Sequence, residues 1–189
     1  RLCDAGYDSN TGIPAILGAL SMVFKTTELF SNYRRILRMD RGECEVVYDQ
    51  KGRHTKRRAI ISRKTDTFYY DFESNEETEV ILDFDVYDDH TPNMKGQKEI
   101  IESSLMRQYC DNGLDYQVKT DDLSYIVKIR VFGADVERSG NSLRWNAKKF
   151  RVAVKCGSGK RACTRLLPPE DFDYEEQLVN HSKLHGRLY

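Results

Sequence analysis

The stretch TEVILDFDVY, residues Thr78–Tyr87, alternates apolar and polar side chains with a period of two. Its regularly spaced apolar members are Val80, Leu82, Phe84 and Val86. Successive side chains of a β-strand point to opposite faces of a sheet. We therefore expect a strand of an antiparallel sheet, with the apolar side chains buried and Asp83 and Asp85 on the solvated face.

Further strand signals lie on both sides of this stretch. They are Cys44–Tyr48, Ala59–Ser62, Thr67–Phe72, Leu114–Lys119, Ser124–Phe132 and Leu143–Lys155.

Three other segments carry the apolar spacing of helices. One begins at Thr27, a suitable N-cap, and ends before Gly42. The second is Gln97–Cys110, and a third, short and acidic, covers about Glu170–Leu184. The sequence therefore predicts a β-rich α+β fold, an antiparallel sheet or β-sandwich-like core flanked by two or three helices.

The chain of 189 residues is long enough to bury a substantial core. We predict a single domain over residues 1–189, in which 1–12 form an irregular lead-in and 156–189 a C-terminal extension that ends in a short helix. No apolar stretch reaches the roughly 18 residues of a membrane span, so no transmembrane segment is expected. Five irregularly spaced cysteines favour a reducing, intracellular setting, nuclear or cytoplasmic.

Charge is segregated along the chain, although 30 Lys and Arg balance 30 Asp and Glu. A first basic block, residues 34–64, holds eleven Lys or Arg and four acids. An acidic block, residues 71–89, holds nine acids and no Lys or Arg. A second basic block, residues 144–165, holds eight Lys or Arg and no acid. This pattern indicates a binding function carried by basic surfaces.

The first basic block contains KGRHTKRR, residues 51–58, between two predicted strands. A protruding basic hairpin can follow the phosphates of a nucleic acid, and neighbouring aromatic rings can stack on unpaired bases. The predicted contacts are Lys51, Arg53, His54, Lys56, Arg57, Arg58, Arg63 and Lys64. The alternative is a solvated hairpin paired with the acidic block.

The second basic block ends in a strand with cations on one face and apolar side chains on the other. Its predicted contacts are Arg144, Lys148, Lys149, Arg151, Lys160 and Arg161. An exposed sheet face with cross-strand ion pairs would explain the same pattern.

The leading functional prediction is therefore a non-catalytic domain that binds RNA or DNA through these two blocks. The alternative is a protein-interaction or scaffold domain that binds an acidic protein partner or forms homo-oligomers through its opposite charges. An anionic-lipid binder would use the same hairpin.

Signals for catalysis and for cofactors are weak. No GxxxxGK[ST], GxGxxG or HExxH motif is present, and we expect no enzyme activity and no cofactor. If the chain has an unrecognised activity, we expect a nuclease that uses the acidic block and the basic hairpin. We predict no metal site; the weak candidate zinc ligands are Cys156, Cys163, His181 and His185.

Overall fold

A computed structural model describes residues 18–25, 29–85, 104–119, 124–159 and 165–186. These ranges contain ten strands and one α-helix of more than a single turn. The strands are β1 Ala19–Phe24, β2 Ser31–Arg38, β3 Glu43–Gln50, β4 Arg53–Ser62, β5 Thr67–Asp85, β6 Leu105–Cys110, β7 Gly113–Lys119, β8 Ser124–Phe132, β9 Glu137–Ser139 and β10 Ser142–Ser158. The helix, α1, is Tyr174–His185.

The strands form one antiparallel sheet in the order β2-β3-β4-β5-β10-β8-β7-β6. Two short additions lie off this path, since β1 pairs with the second half of β5 and β9 pairs with the start of β10. Strands that follow one another in sequence are often hairpin neighbours here, as expected for a sheet built from local turns.

The long strands β5 and β10 connect the two halves of the sheet. They pair along nearly their whole lengths, with a register shift between Ala147 and Lys149. The first half of β5 pairs with β4, and its second half pairs with β1. Bulges of this kind bend a strand and increase its twist.

One face of the sheet, here called the inner face, carries the main core. Phe72 stacks on Phe150 with ring centroids 4.7 Å apart, and Trp145 meets Phe150 edge-on at 5.1 Å. Phe84 of β5 contacts Tyr116 of β7 at 4.6 Å, although two strands separate β5 from β7 in the sheet order. The sheet therefore curls until its inner face closes on itself, as in a β-sandwich.

The opposite, outer face carries a smaller apolar cluster. Phe172 packs on Tyr69 with ring centroids 4.5 Å apart, just before α1 begins. Tyr174 and Leu178 of α1 are buried in the same cluster. The helix begins at its N-cap Asp173, whose side chain accepts a hydrogen bond of 2.8 Å from the backbone N–H of Glu176. The apolar stripe of α1 thus covers one end of the outer face.

The predicted fold class is wrong in its helices and right in its β-rich core. The segment that begins at Thr27 forms strand β2 from Ser31, paired along its length with β3. Phe30 and Tyr33 pack on the Tyr48 ring of β3, at centroid distances of 5.0 and 6.5 Å. Pairing with β3 satisfies the backbone of β2, which outweighs the weak helical spacing of its apolar residues.

The second predicted helix, Gln97–Cys110, is also wrong in the part that the structure describes. Leu105–Cys110 forms strand β6, in which half-buried and exposed residues alternate; residues 97–103 lie outside the described ranges. The third predicted helix is present as α1. Each predicted strand overlaps an observed one, and the two segments from Thr67 and from Thr78 are parts of the single strand β5. None of the helices in the described part of the chain is long and apolar enough to cross a membrane.

Candidate functional site

The first basic block lies mainly on the β3–β4 hairpin. Lys51 and Gly52 form its two-residue turn with φ of 46° and 84°, as a type I′ hairpin turn requires. His54 contacts the Asp49 carboxylate at 2.7 Å, and Arg53 donates to the Gln50 side chain at 2.6 Å. Arg63 and Lys64 lie exposed in the turn between β4 and β5. The basic side chains near the hairpin tip are therefore held by polar groups of their own hairpin.

The basic and acidic blocks meet on the outer face. Cross-strand register places Glu45, Arg58, Asp71 and Arg151 in one row over four adjacent strands. Arg58 bonds Asp71 at 2.7 Å and also pairs with Glu175 of α1. Arg151 pairs with Asp171 at 3.2 Å. We call this row and its neighbour, described next, the outer ladder.

The neighbouring row of the outer ladder joins Lys56, Glu73 and Lys149. Lys149 bonds Glu73 at 2.6 Å, and Lys56 lies 3.4 Å from Glu45. The hydrogen bond from Lys149 holds the pKa of the Glu73 carboxyl below its usual range. Strand β5 thus supplies acids to basic strands on both of its sides, and the alternative of a hairpin paired with the acidic block agrees with this geometry.

The remaining predicted contacts do not gather into one surface. Arg144 pairs with Glu79 at 2.7 Å, on the part of β5 beyond the bend. Lys148 is exposed at the register shift of β10. Lys160 and Arg161 lie outside the described residues. Unlike its neighbours in β4, Arg57 points to the inner face.

The weak zinc candidates are not brought together among the described residues. His181 and His185 lie one turn apart on α1, with ring centroids 5.3 Å apart, beside Gly42 of the β2–β3 turn. Cys156 lies in β10 opposite Val127 of β8. Cys163 is outside the described ranges, within which no group of three metal-binding side chains occurs.

A cavity of about 310 Å³ opens on the inner face between β1 and strands β2–β5. We call it the inner groove. Its walls include the rings of Phe24, Tyr33 and Tyr70, and two arginines, Arg35 and Arg57. The other lining residues are Met22, Cys44, Val46, Arg58 and Ala59. None of the described residues that line the groove carries a carboxylate.

The two groove arginines occupy one cross-strand row. Arg35 of β2 and Arg57 of β4 both lie opposite Val46 of β3, so two strand spacings, about 10 Å, separate their backbones. The Arg57 guanidinium lies 4.9 Å from the Phe24 ring centroid and 5.1 Å from that of Tyr48. Cation–π contacts of this kind fix the guanidinium without neutralising its charge.

Tyr70 also lines the groove. The residue is 7% exposed, and its buried hydroxyl interacts with the Arg57 guanidinium. Burial raises the pKa of the Tyr70 phenol, against a smaller lowering effect of the Arg57 charge. The phenol is therefore a neutral hydrogen-bonding group inside an otherwise aromatic and cationic groove.

Sequence reasoning missed the inner groove. The sequence pattern places Arg57 in the basic hairpin and the segment that contains Arg35 in a helix. The useful signal was the alternation of β4, which places Lys56 and Arg58 on one face and Arg57 on the other. The groove also requires β2 to be a strand, which the sequence pattern did not indicate.

No protein-family model and no curated protein sequence matches the chain. Solved structures do share its fold. A protein from the human microbiome assigned as a kojibiose phosphorylase superposes on 90% of this chain, with a TM-score of 0.52 and 12% sequence identity. A bacterial glucoamylase complexed with acarbose superposes on 89%, with a TM-score of 0.49 and 7% identity. The matches span 27% and 31% of those two chains.

The function predicted from the basic blocks is wrong. Nucleic-acid binding through the hairpin and the second block has no support, because acids of β5 and of the C-terminal segment pair with Arg58, Lys149 and Arg151. The alternative of a scaffold domain for a separate acidic partner is likewise unsupported, since the acidic strand belongs to the same sheet.

Proposed function

We propose that this chain acts as a carbohydrate-contacting β-sheet domain of a carbohydrate-active enzyme. The fold shared with the protein assigned as a kojibiose phosphorylase supports this proposal over 90% of the chain. The chain corresponds to 27% of that protein, as a domain of a larger enzyme would. The activity of the larger enzyme to which this domain would belong is likewise proposed.

The observation that carries the proposal is the composition of the inner groove. Flat apolar rings beside a few hydrogen-bonding groups suit a sugar, which presents both C–H faces and hydroxyls. Tyr33 is 55% exposed and offers its ring from β2, while Arg35 and Arg57 supply polar contacts. The volume of about 310 Å³ lies at the lower end of small-molecule sites, which suits one or two sugar rings.

We assign the domain a binding role, with the catalytic groups elsewhere in the enzyme. Glycosidic-bond cleavage commonly uses a pair of carboxylates beside the scissile bond. The residues that line the groove include no carboxylate. On the outer face, Asp71 and Glu73 are engaged with Arg58 and Lys149. A bound sugar would thus be held but not cleaved by this chain.

The test is calorimetric titration of the chain with kojibiose. We expect saturable binding that Tyr33→Ala weakens about threefold to tenfold, because one ring contact contributes about 0.5–1.5 kcal/mol. Met106→Ala is the matched control, since Met106 is 53% exposed and lies on β6 at the opposite end of the sheet. Equal loss in both variants, or no saturable binding, would refute the proposal.

A further inference from the structure

We infer that the inner groove selects a sugar that carries an anionic group, such as a phosphate or a carboxylate. This inference rests on the function proposed above and specifies the ligand of the same groove. It comes from a difference in charge between the two faces of the sheet.

On the outer face, the cations of the outer ladder are matched by acids. Arg58, Lys149 and Arg151 each pair with a carboxylate within 3.2 Å. On the inner face, neither Arg35 nor Arg57 pairs with a carboxylate of the described residues, and none of the described residues that line the groove is an acid. Two guanidinium groups in a partly apolar cavity create a positive potential that favours an anion.

The placement of the two arginines suits a single oxyanion between them. Their backbones flank Val46, and a guanidinium can extend inward from each side. Arg57 is held between the Phe24 and Tyr48 rings, so its hydrogen-bonding edge is fixed before any ligand arrives. Guanidinium groups bind carboxylate and phosphate in a bidentate way that matches their planar geometry.

The remaining walls account for the sugar. The side chains of Tyr33 and Tyr70 line the same groove as the arginines, and the Tyr33 ring is exposed. An anionic sugar would place its charged group between the arginines and its ring against Tyr33. Neither free phosphate nor neutral glucose would use both sets of contacts.

The experiment is a titration of the chain with glucose 1-phosphate, glucuronate, inorganic phosphate and glucose at low salt. We expect one or both anionic sugars to bind at least tenfold more tightly than glucose and than phosphate. Tighter binding of glucose 1-phosphate or of glucuronate then identifies which oxyanion the groove prefers. Raising the salt concentration should weaken the binding of the anionic sugars and leave that of glucose unchanged.

The substitution Arg35→Gln tests whether this arginine binds the anionic group. We expect it to weaken the anionic sugar about tenfold, through loss of one charge-assisted contact, and to weaken glucose much less, because glucose offers Arg35 only neutral hydroxyls. Arg34→Gln is the matched control, because Arg34 is the preceding residue of β2, points to the opposite face and makes the same change in net charge. Arg35 is exposed, so its replacement should not disturb folding.

The outcomes separate this inference from the proposed function. The anionic preference would be overturned if glucose and the anionic sugars bind equally, or if Arg34→Gln and Arg35→Gln have equal effects. Neither result would contradict the proposed sugar site. Binding of phosphate alone as tight as that of glucose 1-phosphate would contradict both, since the ring would then contribute nothing.

Discussion

Arg58 of β4 and Asp71 of β5 lie directly opposite each other, with Nη2 and Oδ2 2.7 Å apart. The same guanidinium pairs with Glu175 of α1 and lies 4.3 Å from the Tyr174 ring centroid. One side chain from the first basic block thus joins the acidic strand to the C-terminal helix. Its role is structural, and the Arg58 guanidinium is not part of a free cationic surface.

Replacing Arg58 should destabilise the sheet and the docking of α1. We expect Arg58→Ala to lower the free energy of unfolding by about 2 kcal/mol, since it leaves a half-buried carboxylate without its partner. Urea unfolding measures this loss. Arg144→Ala is the control: the Arg144 side chain is 45% exposed against 14% for Arg58, so loss of its pair with Glu79 should cost less. Equal losses would contradict the structural role of Arg58.

Gly42 in the β2–β3 turn should resist substitution for two reasons. Its φ is 62°, and a Cβ atom there would lie 2.6 Å from Nε2 of His181. Gly140 has the same φ of 62° with no atom within 4 Å of that position. We expect Gly140→Ala to cost about 1 kcal/mol through backbone strain alone, and Gly42→Ala about 1–2 kcal/mol more.

The double variant Gly42→Ala/His181→Ala isolates the steric part of this effect. Removal of the imidazole should make the glycine substitution cost about the same as at Gly140. Urea unfolding of the four variants gives the coupling between the two sites. Additive effects of Gly42→Ala and His181→Ala would contradict a close contact between turn and helix.

We expect the folded protein to become less stable as the pH is lowered, because His181 is buried. Its side chain is 3% exposed, and burial, with a smaller effect of the His185 and Arg63 charges, lowers the pKa of the imidazole below its ordinary value. The unfolded chain therefore binds a proton more readily than the folded one, so this contribution to stability is lost as the pH falls below about 6.5.

Thermal unfolding between pH 7.5 and 5 measures this dependence. His181→Gln should flatten the pH profile, whereas His54→Gln, at the exposed hairpin, is the control and should leave the His181 contribution in place. If the pH profile of His181→Gln has the same slope as that of the wild type, another group is responsible for the pH dependence.

The strands were predictable because each has a local signal. Alternation in Val80, Leu82 and Phe84, and in Val127, Ile129 and Val131, marks buried faces that the structure confirms. The short acidic helix was predictable because Asp173 supplies an N-cap before an apolar stripe. These features depend on residues close together in sequence.

The inner groove and the outer ladder were not predictable because both depend on register. Whether Arg58 meets Asp71, and whether Arg35 lies in line with Arg57, follows from which residues pair across strands. A slip of one residue would move each side chain to the other face. Composition shows that charges are segregated, but only the sheet order places the acidic strand between two basic ones.

We propose the inner groove, and not the basic hairpin, as the binding surface of this domain. Amide chemical-shift mapping during titration with glucose 1-phosphate tests this proposal. We predict that the largest shifts occur at Tyr33, Arg35, Val46 and Arg57, on the strands that line the groove, and that the turn at Lys51 and Gly52 is unaffected. Shifts centred on that turn, or none at the groove, would contradict the account.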